Sequence, residues 1–394
     1  MQEPTAPLKT IFPESSLAKR AAIAALRLYG KTLPKNPPPF PPPGDAEVKI
    51  LIQSMGGIGN TLMATPLIHA TRELYPKARI DVLTSPGAAE LLKKEPDIDS
   101  VISEQEGNDY SKTAYWRMIR DLYRSHYDAA LLTLNAVTFR FAARSVLARV
   151  PIRLIHEYAF QSHDDFTSAF SKVIPKRSEA HDVECNLDLL RFLSGTSTEA
   201  GPLRIHLDDS EITEARQVLL KCGYNPERQT VAVCPGSSGW MSFKRWPLGS
   251  YIGLVKKLLI NNENLNVLCF SGPDEKDEVD QWIDSVQSER FFLVRGLGLR
   301  TYAAAIKWCD VIVTNDSLPM HLAAALQRPV VALFGPTDPK RTAPWMCRST
   351  VLCSPADFVP YFRIPYSPAP DQFPPSMDLI TVDSVYKATL ACLP

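Results

Sequence analysis

Residues 315–345, NDSLPMHLAAALQRPVVALFGPTDPKRTAPW, place Asn315, Asp316 and Ser317 at the start of a helix that follows an apolar run. A helix start carries unsatisfied backbone N–H groups, and anions are held where those groups point. Asp316 repels phosphate at close range, so it is expected to face a neutral, hydroxyl-rich group such as a sugar ring beside the phosphates. A second set lies in PGSSGWMSFKRWP at 235–247. There the hydroxyls of Ser237 and Ser238 can donate to phosphate oxygens, and Lys244 supplies a compact positive charge. Asp274 and Glu275 follow another apolar run. Their carboxylates can accept from ribose hydroxyls, or cap a helix. Near the start of the folded chain, SMGGIGN at 54–60 is a glycine-rich turn. Gly57 and Gly59 let backbone approach a ligand closely. Asn60 closes the turn with an amide, which can orient a hydroxyl but cannot take its proton.

Alternating strands and helices must position these groups. Residues 48–53 read as a short buried strand, 61–74 as an amphipathic helix and 78–84 as the next strand. Further strands are expected at 101–102 and 129–134, and a basic helix at 139–150. In the second half, 213–222 reads as a helix stopped by Gly223, 231–234 as a strand and 248–259 as a helix. The runs 266–270 and 311–314 read as strands, 299–308 and 319–326 as helices, and 329–334 as a final buried strand. Apolar runs alternating with helical patterns specify parallel sheets with helical crossovers. The pattern runs twice, each time with a glycine- or serine-rich turn after a leading strand. The expected fold is therefore two α/β domains with a cleft between them, residues 47–205 and 206–394, behind an extension at 1–46.

The wording NDS-x-PMHLAAAL…PVVALFGPTDP…RT-x-PW resembles glycosyltransferase family 9, the lipopolysaccharide heptosyltransferase family. So do the strand followed by GG-x-G and L-x-x-TP at 56–66, the H-x-V-x-x-N-L-x-L-L helix at 181–190, and K-x-WP at 244–247. The resemblance covers roughly residues 48–345. It implies two Rossmann-like domains facing a central cleft (GT-B type), a nucleotide-sugar donor, no metal and no other cofactor. It further implies an inverting transfer of a sugar, heptose from ADP-heptose, to a lipopolysaccharide-core or related glycan acceptor, lipid-linked or oligosaccharide. On the matching positions, Ser237, Ser238 and Lys244 hold the diphosphate, Asp274 or Glu275 meets the nucleoside, and Asp316, Ser317, Leu318, Met320 and His321 form the rest of the donor site. The chain departs from the pattern twice. Asn60 stands where the family has its proposed catalytic Asp, and Leu318 stands where many members have glycine. Leucine tolerates positive φ badly. The alternative these departures raise is a non-catalytic relative that binds a nucleotide sugar or a glycan-assembly partner.

Other readings compete. Gly57 and Gly59 with Asp81 could begin a dinucleotide fingerprint, but Leu62 occupies the third glycine's place. Asp97 and Asp99 form the chain's D-x-D, a spacing some glycosyltransferases use for metal. Arg140, Arg144 and Arg149, with Arg120, Arg124 and His126, read as a solvated helix face or as contacts for an anionic acceptor. Lys+Arg and Asp+Glu are 43 each, which argues against a nucleic-acid partner. Residues 16–33 are helical in period, with Leu17, Ala21, Ala24 and Leu28 on one face and basic residues around them, and 34–44 is proline-rich. One reading is an interfacial helix on anionic lipid at the inner face of the cytoplasmic membrane. The other is a helix packed on the body. Cytoplasm is the expected compartment: no apolar run spans a bilayer, and Cys185, Cys222, Cys234, Cys269 and Cys309 read as small core residues. Cys347 and Cys353 are close enough in sequence to pair. Residues 354–376 read as an irregular, proline-rich wrap, and 378–393 as a last helix.

Overall fold

The computed structural model describes residues 17–33, 38–41, 47–104, 112–134, 139–157, 167–177, 179–272, 275, 279–355 and 376–394. Most of the proline-rich stretch at 34–44, Asp274 and nearly all of the 354–376 wrap lie outside the described residues. The chain divides into two units, Met1–Gly201 and Pro202–Pro394.

The first unit runs α1 (Leu17–Lys31), β1 (Lys49–Ser54), α2 (Ile58–Leu62), α3 (Thr65–Leu74), β2 (Arg79–Thr84), α4 (Pro86–Leu92), β3 (Ser100–Ser103), α5 (Lys112–Ser125), β4 (Ala129–Leu132), α6 (Phe139–Leu147), β5 (Ile152–His156), β6 (Lys172–Ile174) and α7 (Asp182–Ser194). Its strands form one parallel sheet in the order β3-β2-β1-β4-β5-β6. The second unit runs α8 (Asp209–Lys221), β7 (Gln229–Cys234), α9 (Leu248–Asn261), β8 (Leu265–Ser271), α10 (Val279–Ser285), β9 (Phe291–Arg295), α11 (Leu299–Ile306), β10 (Val311–Asn315), α12 (Leu318–Ala325), β11 (Val330–Phe334), α13 (Pro339–Thr342), β12 (Ser349–Cys353) and α14 (Val382–Cys392). It repeats the design in the order β12-β11-β10-β7-β8-β9, again all parallel.

Parallel strands covered on both faces read as apolar runs, which is why most were visible in the sequence. In the first unit, Ile50, Ile52, Val82 and Leu131 pack with Leu67 of α3 and Leu187 and Leu190 of α7. In the second, Val231, Val267, Val311 and Val331 pack with Tyr251, Leu254 and Leu258 of α9 and Val385 of α14. Each sheet reverses its strand order once, at β1/β4 and at β7/β10. Loops leaving such neighbours diverge and open a crevice at the strands' carboxyl ends, where α/β sheets bind ligands.

α1 turns a different face inward from the one its period suggested. Ile23, Leu26 and Gly30 are buried, whereas Ala21, Ala24 and Leu28 are exposed. The smallest residue decides this: a Cβ on Gly30 would overlap Ala169, in the Thr167–Ala169 turn that α1 packs against. Arg144 also departs from expectation. It does not lie on a solvated face but is fully buried, paired with Glu104 and set over the rings of Phe141 and Tyr115. Burial lowers its pKa to about 9. Cys222 is exposed, while Cys185, Cys234, Cys269 and Cys309 are buried as expected; Cys347 and Cys353 are both free thiols.

Candidate functional site

β7 and β10 lie side by side, with Thr314 paired to Cys234. The chain leaves β7 through Pro235–Ser238 and a 3-10 turn, Gly239–Lys244. It leaves β10 directly into Asp316 and α12. The two segments converge: Lys244 Nζ donates to Asp316 Oδ2 at 2.7 Å, and both side chains are buried. Burial alone would raise the Asp316 pKa. The Lys244 charge and hydrogen bond, reinforced by His321, override it and hold the carboxyl below its usual range. Thr342 of α13 approaches the other carboxylate oxygen, Oδ1, at 3.5 Å. The result is a fixed anion beside a fixed cation at the carboxyl ends of the two central strands. A carboxylate so placed accepts from hydroxyls, and an ammonium with three donors can serve Asp316 and a phosphate oxygen together.

The serine loop is internally braced. Ser237 Oγ donates to the Met241 carbonyl at 3.0 Å and accepts from Arg245 Nε at 3.3 Å. Arg245 Nη2 donates to the Ser237 carbonyl at 2.7 Å. The Ser237 hydroxyl hydrogen thus points into its own loop, and of the two serines only Ser238 is exposed. Glu275 is buried against the same loop: a Cβ on Gly236 would overlap its Oε1, so a larger residue there would displace the carboxylate. Its other oxygen, Oε2, accepts from the Gly272 N–H at 3.2 Å.

The start of α12 offers fewer amides than expected. Pro319 has no N–H, and that of Met320 donates to the Ser317 carbonyl at 3.1 Å. Leu318 supplies the first helical N–H. It sits in helical backbone and is absent from the positive-φ positions, so this turn does not require glycine. Ser317 Oγ donates to the Asn315 carbonyl at 3.4 Å. Met320 and His321 are buried on the inner side of α12.

In the first unit the glycine turn follows β1, at that sheet's reversal. Gly57 is the N-cap of α2, and Gly59 and Asn60 lie within it. The glycine that the backbone demands is Gly56, at φ 103°. Asn60 is half-buried, and its N–H donates to the Gly57 carbonyl at 2.9 Å. Beneath the turn lies a buried hydroxyl cluster. Thr84 Oγ1 donates to the Ser54 carbonyl at 2.6 Å and lies 3.1 Å from Thr61 Oγ1. Thr133 Oγ1 reaches Ser54 Oγ at 3.4 Å.

The competing motifs have structural employment. Asp97 binds His69 Nδ1 at 2.8 Å; Asp99 accepts from the Ile80 N–H at 2.7 Å and from Arg72 at 2.6 Å. Asp81 lies inside β2, where it accepts from Tyr127 at 2.6 Å, away from the strand end where a ribose-binding acid belongs. His181 caps α7, accepting from the Val183 N–H at 3.2 Å.

Sequence reasoning missed Asn315, Arg245 and Gly236 as parts of the site, and Asn186 of α7 in the first unit. Asn315 was read as a helix-start residue. Only the polar types and their place beside motif residues marked them out.

Residues 115–367 match the family model described as glycosyltransferase family 9 (heptosyltransferase). The chain is 28% identical over 316 residues to lipopolysaccharide heptosyltransferase 2 of Salmonella typhimurium, covering 77% of this chain and 88% of that protein. Among solved structures, E. coli ADP-heptose lipopolysaccharide heptosyltransferase II superposes with a TM-score of 0.69 at 24% identity, over 88% of this chain and 98% of that one. E. coli heptosyltransferase WaaC, solved with ADP-2-deoxy-2-fluoro heptose, superposes with a TM-score of 0.65 at 16% identity, over 86% and 98%. At these identities the two structures speak for a common fold. The family match spans more than half of the chain, and it includes both segments that carry Lys244 and Asp316: the chain belongs to glycosyltransferase family 9 (heptosyltransferase).

Proposed function

We propose that this chain transfers a heptose from ADP-heptose to a lipopolysaccharide-core or related glycan acceptor, by direct displacement with inversion. The observation that carries this reading is the buried Lys244–Asp316 contact of 2.7 Å at the β7/β10 reversal. Asp316 accepts from hydroxyls of the sugar. Lys244, Ser238 and the Leu318 N–H face the diphosphate, with the loop held by Ser237 and Arg245. As the glycosidic bond breaks, negative charge builds on the leaving diphosphate. A positioned cation in a water-poor site stabilises that charge without reorganising at the moment of reaction. Glu275, seated against Gly236, accepts from ribose hydroxyls. The acceptor hydroxyl approaches through the glycine turn at Gly57–Asn60, where the Asn60 amide orients it; its oxygen bonds the anomeric carbon as the bond to the diphosphate breaks, and its proton passes to solvent. The family relatives named above are heptosyltransferases, which supports the choice of sugar and donor.

Membrane proximity belongs to the same proposal. The apolar face of α1 is turned inward, so lipid contact falls to its outer side, where exposed Leu28 stands between Arg27 and Lys31. No described helix is long and apolar enough to cross a membrane. Co-sedimentation with anionic vesicles, lost on exchanging Arg27 and Lys31 for Glu, checks this part.

Purified chain incubated with ADP-heptose and a heptose-free core acceptor is expected to release ADP and extend the acceptor. The absence of both turnover and donor binding would end the reading. Asn60 favours a second one, a relative that binds donor without catalysis, because an amide cannot take the acceptor's proton. Asn60→Asp separates the two: activity that appears only in the variant identifies a lost base, and a wild type that turns over excludes the second reading.

A further inference from the structure

We propose that Asn315 is the positioning residue that holds Lys244 against Asp316; its consequence for the donor rests on the reading above. Asn315 is fully buried at the end of β10, one residue before Asp316. Its Nδ2 donates to the Pro235 carbonyl at 2.7 Å. Its Oδ1 accepts from the Trp246 N–H at 2.9 Å and from the Tyr251 hydroxyl at 3.1 Å. One amide thus grips both ends of the segment between β7 and α9, just before Gly236 and just after Lys244 and Arg245. Arg245 braces that segment from within, through Ser237. Asn315 ties it to the strand that carries Asp316. The task needs a donor and an acceptor on one short side chain: aspartate would face the Pro235 carbonyl with a second acceptor, and leucine would leave that carbonyl and the Trp246 N–H unmatched in the core. The indole of Trp246 is anchored separately, donating to the Ile380 carbonyl at 2.8 Å, so the fold keeps a hold on this region without Asn315.

The test reads Lys244 directly, in the full chain and without ligand. Amine labelling followed by peptide mass spectrometry gives the modification rate of Lys244, and calorimetric titration gives the affinity for ADP. In Asn315→Ala the labelling rate is expected to rise at least about tenfold and ADP affinity to fall by a similar factor. Tyr251→Phe, which removes one bond to Asn315 and leaves the two backbone grips, is expected to stay within about twofold on both. If Asn315→Ala does not fold, Asn315→Asp is read the same way. It loses the donor to Pro235 and keeps both acceptor contacts. An unchanged Lys244 labelling rate in a folded Asn315 variant overturns the proposal. If the wild type does not bind ADP, the donor reading fails, while the labelling rates still decide the role of Asn315.

Discussion

Both units pin their sheet reversal with a buried asparagine. In the first, Asn186 accepts from the Leu134 N–H beyond β4 at 3.0 Å and donates to the Met63 carbonyl beyond α2 at 3.4 Å. In the second, Asn315 joins the loop beyond β7 to Trp246. What each pin presents is different. Beside Asn315 stand Lys244 and Asp316, a cation and an anion fixed by one another. Beside Asn186 stand glycines, hydroxyls and Asn60, with no acid or base in the turn. The first unit does have a buried ion pair, Glu104–Arg144, but no motif segment takes part in it, and Arg144 Nε and Nη1 make no hydrogen bond among the described residues. Burial of a charge pair is thus not in itself a sign of chemistry. The sign is a pair that joins two loops diverging from neighbouring strands.

That contrast can be broken by mutation. If Glu104–Arg144 serves only the fold, Glu104→Gln strands a buried guanidinium and costs about 3–5 kcal/mol of stability, read by denaturant unfolding. ADP affinity in the folded fraction should be unchanged; a loss there would make the first unit's pair functional and undo the distinction. A second probe is His156, at the end of β5. Burial pushes its pKa down to about 4. A base whose folded pKa lies below its unfolded value binds more protons when unfolded, so stability falls as pH drops between the two values. The expected loss is about 3 kcal/mol between about pH 6.5 and pH 4. His156→Leu should flatten that part of the pH–stability curve, and an unaltered slope would assign it to other groups. The smallest effect concerns the turn itself. Gly56→Ala forces a side chain into left-handed backbone, at about 1–2 kcal/mol, seen as a lower melting temperature. No loss would mean the turn relaxes and is less fixed than the loop beyond β7.

The sequence showed the two α/β repeats because buried parallel strands are apolar without interruption, and it showed Lys244 and Asp316 because their motif segments are long and specific. It could not show Asn315's task, since its partners lie 64, 69 and 80 residues away and an asparagine at a strand end also reads as a helix start. Arg144 was hidden for the same reason: its partner is 40 residues upstream. The inward face of α1 was misjudged because Gly30, which carries no apolar side chain, lies on it against Ala169. Leu318 looked like an obstacle only while its backbone angles were unknown.

The central claim is that Lys244, held by Asp316, grips the donor's diphosphate. Titrating ADP into wild type and Lys244→Ala, with folding of the variant checked by circular dichroism, tests it most directly. The account predicts binding to the wild type and an affinity at least about tenfold lower in the variant. Equal affinities for the two folded proteins would contradict it.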